Sequence, residues 1–470
     1  MGPRACASRR DRQRFPLVLT GIDADTHAAV FRMLRANAEF SRTLVHLTRQ
    51  PDSRRNGDYM NGLNGIRILS FNHFLMGPLG VQHLADCGAD VISVEPVDGA
   101  FQRKWGGANR AIDGQTMLLL MGNRNKRSLA LNLKDPRAID IVMSLLPQVD
   151  VVAENYRPGV MEQLGLGYEA LKAVKPDIIY ASGSGFGPDG PYASRPGQDL
   201  IIQAMSGIAT ITGSREDGPR AVGVSVVDHH GAALYANGIL TALLNRERTG
   251  EGCRVDVSLL AAALDLQQES LTCFLNGDGH DDVRQAGRVS GWYFPAPYGI
   301  YATADGFIAL SLSPLDIIYQ ILGIPEKERI PVKRAFDEQQ EISDRLARRL
   351  AQDTTAHWLP LFERHHVWHT RVNDYAQVVA DPQVRHLKSF ETVEGATGGP
   401  VTLVNHPVRY DGSAPAIRMP PPRLGAHTID ILSGVGMNRP MIDSLLADGV
   451  IGVAEDAEAV AAVAAKGGVA

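Results

Sequence analysis

Gly65-Ile66-Arg67-Ile68-Leu69-Ser70-Phe71, a helically spaced run from Pro78 to Cys87, and Asp90-Val91-Ile92-Ser93-Val94-Glu95 follow one another near the front of the chain. The two short apolar runs bounded by turns read as strands and the segment between them as a helix, which makes a βαβ unit. A right-handed crossover makes its strands parallel, so the loop after the first strand, around His73 to Pro78, lies at the carboxyl edge where open α/β sheets bind ligands. The pattern then recurs. Ser128 to Leu133, Val149 to Glu154 and Asp177 to Ser182 read as strands, and the last runs into Gly183-Ser184-Gly185-Phe186-Gly187. Pro136 to Leu146 and Val160 to Gly165 read as the intervening helices, with Pro136 suited to a first helical position. Asp199 to Ile208, His229 to Asn245 and Leu259 to Leu275 are helical by spacing, and Arg254 to Ser258 is a strand entering the last of them.

Composition agrees with an α/β protein. Of 470 residues, 44% are hydrophobic, 47 are glycine and 27 proline, more turn-formers than a helix bundle uses. With 47 basic and 52 acidic residues the net charge is -5, which gives no electrostatic case for nucleic acid or an anionic membrane as partner. Cys6, Cys87, Cys253 and Cys273 stand apart with no paired spacing, so neither a disulfide framework nor a metal site is indicated, and a cytoplasmic setting fits best. No run of apolar residues is long enough for a membrane span, and the start lacks the apolar core of a secretory signal.

The domains expected are an accessory or disordered extension at 1–59, a large Rossmann-like domain opening at 60–276, a linker and smaller α+β domain at 277–370, a return segment at 371–453 completing the large domain, and a frayed tail at 454–470. The extension holds eleven arginines, no lysine and six acidic residues, too acidic for an organelle transit peptide, with a short helix from about Asp25 to Thr48. Met60 is an alternative beginning. Gly277 to Gly291 reads as a mobile loop. Tyr298 to Thr303 and Gly306 to Leu312 form a hairpin through Asp305-Gly306, and helices follow to about His366. A last helix is expected from about Pro440 to Asp448.

The first βαβ unit invites a dinucleotide reading, because Glu95 ends the second strand about where a ribose-binding acid stands. Gly77 and Gly80 do not build the glycine turn that admits a pyrophosphate, so hydride chemistry is disfavoured. Asp199 opens a helix, where a carboxylate meets free N–H groups; alone it reads as a cap. Asp189 reads as a turn-former, and His229 and His230 as helix residues of which at least one packs in the interior.

Eight segments in order resemble the family III CoA-transferases of the CaiB/BaiF type, a group that includes formyl-CoA transferase, carnitine CoA-transferase and α-methylacyl-CoA racemase. They are Gly65 to Phe71 with Gly77-Pro78; Gly88 to Pro96; Asn125 to Lys134; Glu154 to Gly159; Gly185 to Pro191; Gly197 to Asp199; Thr249 to Ser258; and Arg423 to Thr428. The resemblance implies a Rossmann-like large domain, a smaller domain, and two chains interlocked as a homodimer. It implies acyl-CoA and a free carboxylic acid as substrates, coenzyme A as co-substrate and no metal. Asp199 matches the nucleophile. A carboxylate suits that role because the mixed anhydride it forms with an acyl group is split again by the departing thiolate. CoA would lie along Leu75 and Met76, Pro96, Leu131 to Lys134, Asn155, Tyr156 and Arg157, Gln163, and Ser184, Gly185, Phe186 and Gly187. Pro96 and Gln163 replace arginines of formyl-CoA transferase, Ser184 a lysine and Leu75 a glutamine, so its phosphate contacts and oxalate substrate do not carry over. Lys126, Arg127, Lys134 and Arg157 are then the cations left for phosphate contacts. Oxyanion stabilisation is expected from backbone N–H groups near Gly183 to Gly187 or in the Gly287 to Gly291 loop. Gln198 stands where the racemases have histidine and cannot act as a base, which argues for transfer over racemisation. A racemase-type isomerase and a non-catalytic CoA-binding paralogue remain the alternatives.

Overall fold

The computed structural model describes residues 61–277, 283, 284, 287 and 289–454. The expectations for the N-terminal extension, most of the tail and much of the 277–291 loop lie outside them.

The sheet strands are β1 (Arg67–Phe71), β2 (Asp90–Glu95), β3 (Lys126–Leu131), β4 (Val151–Glu154), β5 (Ile179–Ser184), β6 (Arg254–Ser258) and β7 (Ile451–Gly452). Their order is β7-β3-β2-β1-β4-β5-β6. The first six are parallel, in the 3-2-1-4-5-6 order of doubly wound nucleotide-binding folds, and β7 pairs antiparallel with β3 through Ile451 and Leu131. The direction of winding reverses between β1 and β4, so a crevice opens there at the carboxyl edge.

β1 to β5 are largely buried on both faces and rich in apolar residues, whereas the edge strand β6 is half-exposed and alternates. One face packs Leu69, Phe71, Val152 and Tyr180 against α2 (Pro136–Leu145) and the C-terminal helices, with Leu129 and Leu131 in the same core. The opposite face packs Ile68, Val91, Ala153 and Ala181 under α1 (Met76–Asp86) and α4 (Val226–Thr249). Tyr235 of α4 is fully buried and donates its hydroxyl hydrogen to the carbonyls of Glu154 and Ala181, fixing α4 across β4 and β5. The remaining helices at this edge are α3 (Asp199–Ser206) and α5 (Leu259–Asp265).

The expected elements are found within a few residues, with two informative departures. The helix from Leu259 to Leu275 is two helices, Leu259–Asp265 and Gln268–Asn276. Gln267, buried at the break, donates to the carbonyls of Ser206 and Ala263 and so ties it to the end of α3. The hairpin Gly299–Ala302 and Phe307–Leu310 gains a third strand, His369–Arg371. This sheet encloses its own core with Ile318, Ile342, Trp358 and Phe362. Residues 418–452 return to the large sheet: the Thr428 hydroxyl accepts from the Ala130 N–H, and the His427 N–H donates to the Ser128 carbonyl. Among the described residues no helix is long and apolar enough to cross a membrane.

Candidate active site

Three loops converge on the crevice between β1 and β4. After β1, the N–H of His73 donates to Asn155 Oδ1 at 2.8 Å, and Asn155 Nδ2 donates back to the His73 carbonyl at 2.8 Å. This reciprocal pair bridges the two strands between which the winding reverses. The His73 ring stacks on Tyr156 at 5.2 Å, and burial lowers its pKa to about 4. Phe74, in the left-handed region at φ 59, packs at a tilt against Phe101, which contacts Trp105, so an exposed aromatic row flanks the crevice.

Leu75 and Met76 begin α1, whose first turn has no side-chain cap. Their side chains are buried beneath α3 with Ile202 and Val227. Met76 is wedged between strand and helix: a Cβ on Gly183 would lie 2.3 Å from its Cε, and one on Gly231 3.0 Å from its Sδ. Those glycines provide the socket.

The loop leaving β5 returns to start α3. Gly185 and Gly197 cross so closely that a Cβ on Gly197 would lie 2.4 Å from the Gly185 Cα. Ser184 Oγ accepts from the Gly187 N–H at 3.0 Å, and the Gly185 carbonyl accepts from the Leu260 N–H at 3.0 Å. The crossing sets Asp199 beside the end of β5. Asp199 is only 6% exposed. Its Oδ1 accepts from the backbone N–H groups of Val227 at 2.8 Å and Asp228 at 3.1 Å, in the first turn of α4. Ser225 supplies no side-chain cap to that 24-residue helix, so Asp199 caps it from α3, and the helix dipole favours the carboxylate. Asp199 Oδ2 accepts from Gln203 Nε2 at 2.5 Å. Gln203 is fixed in turn: its Oε1 accepts from the Val222 N–H at 2.9 Å.

Two more carboxyls stand at this edge. Asp228 is pushed up to about 7 by burial and then by the charge of Asp199. Glu154 is pushed up to about 7 by burial, although it accepts from the Tyr156 N–H at 2.8 Å. Glu154, Ser182 and Asp256 are in register across β4, β5 and β6. With Arg157, Asp189 and Arg254 they line a polar cleft of about 420 Å³.

The sequence-expected residues divide. Met76, Asn155, Tyr156, Ser184, Gly185, Phe186, Gly187 and Asp199 lie on the three converging loops or the start of α3. Leu75 is packed beneath them. Pro96 and Lys134 are exposed just beyond β2 and β3, Gln163 is exposed on a short helix, and Arg157 is exposed at the cleft. The Leu131 side chain is fully buried in the core. Lys126 does not face solvent: its Nζ donates to the carbonyls of Pro78 and Gly122 and to Asn123 Oδ1, and burial lowers its pKa to about 7. Arg127 pairs with Asp90 at the amino edge. Neither can reach a phosphate at the crevice, because both stand at the starting ends of their strands. His229 and His230 also differ from expectation, neither being a buried packing histidine: His229 is exposed, and His230 pairs with Asp265 at 2.7 Å. Sequence reading missed Gln203 and the α4 N–H pair. The four-residue spacing from Asp199 to Gln203 places both on one helical face and was the available signal.

Among the described residues, one group has the spacing of metal ligands, His83, Asp86 and His406. Asp86 is already bound by the Arg124 guanidinium at 2.7 Å and by Asn125 at 2.7 Å, and that guanidinium opposes a cation.

Residues 63–428 match the model of CoA-transferase family III. The chain belongs to that family. This CoA-transferase is 35% identical over 405 residues to the succinyl-CoA:glutarate CoA-transferase of Mus musculus, covering 84% of this chain and 91% of the relative. It is 33% identical over 382 residues to the succinyl-CoA–D-citramalate CoA-transferase of Chloroflexus aurantiacus, covering 79% and 93%. A crystal structure of a CaiB/BaiF family protein from Brucella suis aligns with TM-score 0.70 at 28% identity, covering 79% of this chain and 99% of that one. The chain is thus an enzyme of CoA transfer between acids, built on a parallel-dominated α/β sheet with smaller antiparallel sheets.

Proposed function

We propose that this CoA-transferase works through Asp199, which takes an acyl group from acyl-CoA as a mixed anhydride and CoA as an aspartyl thioester, then hands CoA to an acceptor carboxylate. The observation that carries this is the placement of Asp199: a buried carboxylate held by two helix N–H groups and one amide at the carboxyl edge, with no cationic partner at hydrogen-bond distance among the described residues to blunt it. Among the described residues three of its four lone-pair positions are taken, leaving one for attack. The pantetheine arm would pass Asn155, Tyr156 and the Ser184–Gly187 turn, and the nucleotide would lie outward toward Leu131, Lys134 and Pro96. Arg157 and Lys134 are the exposed cations available to its phosphates. Similarity to the succinyl-CoA relatives favours short dicarboxylic acids as donor and acceptor. A cytoplasmic homodimer, with residues 277–370 as its small domain and 371–453 as the return, belongs to the same reading. Exposed Leu200, Ile201 and Met205 on α3 support a covered surface beside the site.

The test is peptide mass spectrometry after mixing the protein with a panel of acyl-CoA thioesters and hydroxylamine in deuterated water. A hydroxamate on the Asp199 peptide without deuterium at the acyl α-carbon is the expected result. Deuterium uptake with Asp199 unmodified would give the racemase instead, and CoA binding with neither would give a non-catalytic paralogue.

A further inference from the structure

We infer that Gln203 is a positioning residue that makes Oδ2 of Asp199 the only attacking atom, and that the Val227 and Asp228 N–H groups hold Oδ1 as the oxyanion site for each step at the Asp199 carboxyl carbon. This rests on Asp199 being the nucleophile and deepens that reading. The argument is a count of lone pairs. Oδ1 accepts two N–H groups and has no lone pair left to attack. Among the described residues Oδ2 accepts only from Gln203, which leaves it one lone pair. Gln203 is 1% exposed and cannot flip: its oxygen is taken by the Val222 N–H and its nitrogen also faces the Val224 carbonyl at 3.4 Å. A turned amide would set its oxygen against Asp199 Oδ2 and the Val224 carbonyl, and its NH2 against the Val222 N–H.

The consequence is a fixed route for the oxygens. Oδ2 attacks the acyl carbonyl carbon, the C–S bond breaks, and CoA leaves as thiolate. The anhydride then has Oδ2 as bridge and Oδ1 as the aspartyl carbonyl oxygen. The thiolate attacks the aspartyl carboxyl carbon, and negative charge collects on Oδ1 against the two N–H groups at the start of α4, a site preformed for it. The bond from that carbon to Oδ2 breaks, and the donor acid departs carrying Oδ2. An acceptor carboxylate oxygen attacks the same carbon, CoA leaves again as thiolate, and this thiolate takes the acceptor acyl group. Asp199 is regenerated as a carboxylate whose Oδ2 came from the acceptor. No proton or external electron donor is required, and Oδ1 never leaves.

The experiment uses the acid that the hydroxylamine panel establishes as acceptor, labelled with oxygen-18 in its carboxylate, over many turnovers in unlabelled water. The expected result is one heavy oxygen on the Asp199 peptide and never two. Two heavy oxygens in the wild type overturn the inference, since they require the carboxylate to turn between cycles. No heavy oxygen at Asp199, or no hydroxamate in the panel, removes the nucleophile reading on which the inference rests. In Gln203→Met the second label should appear and kcat should fall about tenfold to a hundredfold, the range for one hydrogen bond to a charged group. In Gln203→Glu activity should return toward acid pH, where the protonated carboxyl donates to Oδ2 as the amide does. Unchanged single labelling in Gln203→Met, or no acid-side recovery in a folded Gln203→Glu, would show that Gln203 does not position the carboxylate.

Discussion

The amino edge of the sheet and the crevice at its carboxyl edge treat charge in opposite ways, although beside the crevice, at the end of β2, Glu95 pairs with Arg103 at 2.5 Å. At the amino edge Asp90 takes both Arg67 at 2.8 Å and Arg127 at 2.6 Å, and Asp150 takes Arg246 at 2.8 Å. Nearby, at the end of α1, Asp86 is fully buried but is matched by Arg124 and by His406, whose pKa is raised to about 9 because the bond to Asp86 and the charge beside it outweigh burial. At the carboxyl edge the carboxyls of Asp199, Glu154 and Asp228 meet backbone N–H groups, an amide, or one another. Asn72 Oδ1 and His73 Nδ1 are buried there without a hydrogen-bond partner among the described residues. A paired charge is inert because its counterion already satisfies it. Groups left short of partners cost stability and keep their reactivity.

Substitutions should separate the edges. Asp199→Ala should lower turnover by about 10⁴-fold or more, the order seen when a nucleophile is removed, with CoA binding retained. Asp90→Asn, the control at the amino edge, should change turnover less than about threefold. Full activity of Asp199→Ala would erase the distinction. Arg124→Met should do the reverse of Asp199→Ala: it strands Asp86 and should cost about 3–5 kcal/mol in urea unfolding, with kcat in the folded fraction unchanged. Gly197→Ala comes next, because the added carbon has to push one backbone away from another rather than move a flexible side chain. About 1–3 kcal/mol of stability and more than tenfold in kcat should go together, which links the crossing of the β5 loop to the aim of α3.

The same contrast explains what was legible in the sequence. Periodicity found β1, α1 and β2 because each is read from a handful of neighbouring residues, and the parallel order followed from the crossovers. Asp199, Asn155 and the Ser184–Gly187 turn were singled out because their motifs are contiguous. Lys126 misled for a physical reason: a basic cluster at a strand edge reads as cations free for phosphate contacts, and only the fold shows α1 and residues 122–123 closing over its ammonium. The α4 N–H pair that holds Asp199 lies 28 and 29 residues away, joined by no pattern in the chain. Gly185 and Gly197 were visible as glycines, but their crossing is a tertiary contact. The third strand at His369–Arg371 is short, and only its pairing identifies it.

The smallest expected effect tests the crevice by pH. Asp228 has its folded pKa raised to about 7 from an ordinary 3.8, by burial first and the Asp199 charge second. Between those values the folded protein holds a proton that the unfolded chain has lost, so stability falls as pH rises through the interval and levels off above it. Glu154, raised to about 7, adds the same slope. His73 and His83, lowered to about 4 from 6.5 chiefly by burial, oppose it: the folded state keeps them neutral, and stability is lost as pH falls from 6.5 toward 4. These slopes oppose one another across that range, so melting the wild type alone does not isolate Asp228. The difference between Asp228→Asn and wild type isolates one side. Below about pH 4 the two should melt alike, since a protonated carboxyl and an amide are both neutral. The variant should gain steadily to about pH 7 and then hold a constant advantage of about 1–3 kcal/mol, read as Tm against pH. A difference that does not change with pH would mean that Asp228 is ionised in the fold as it is in water, and the carboxyl edge would lose one of its unpaired groups.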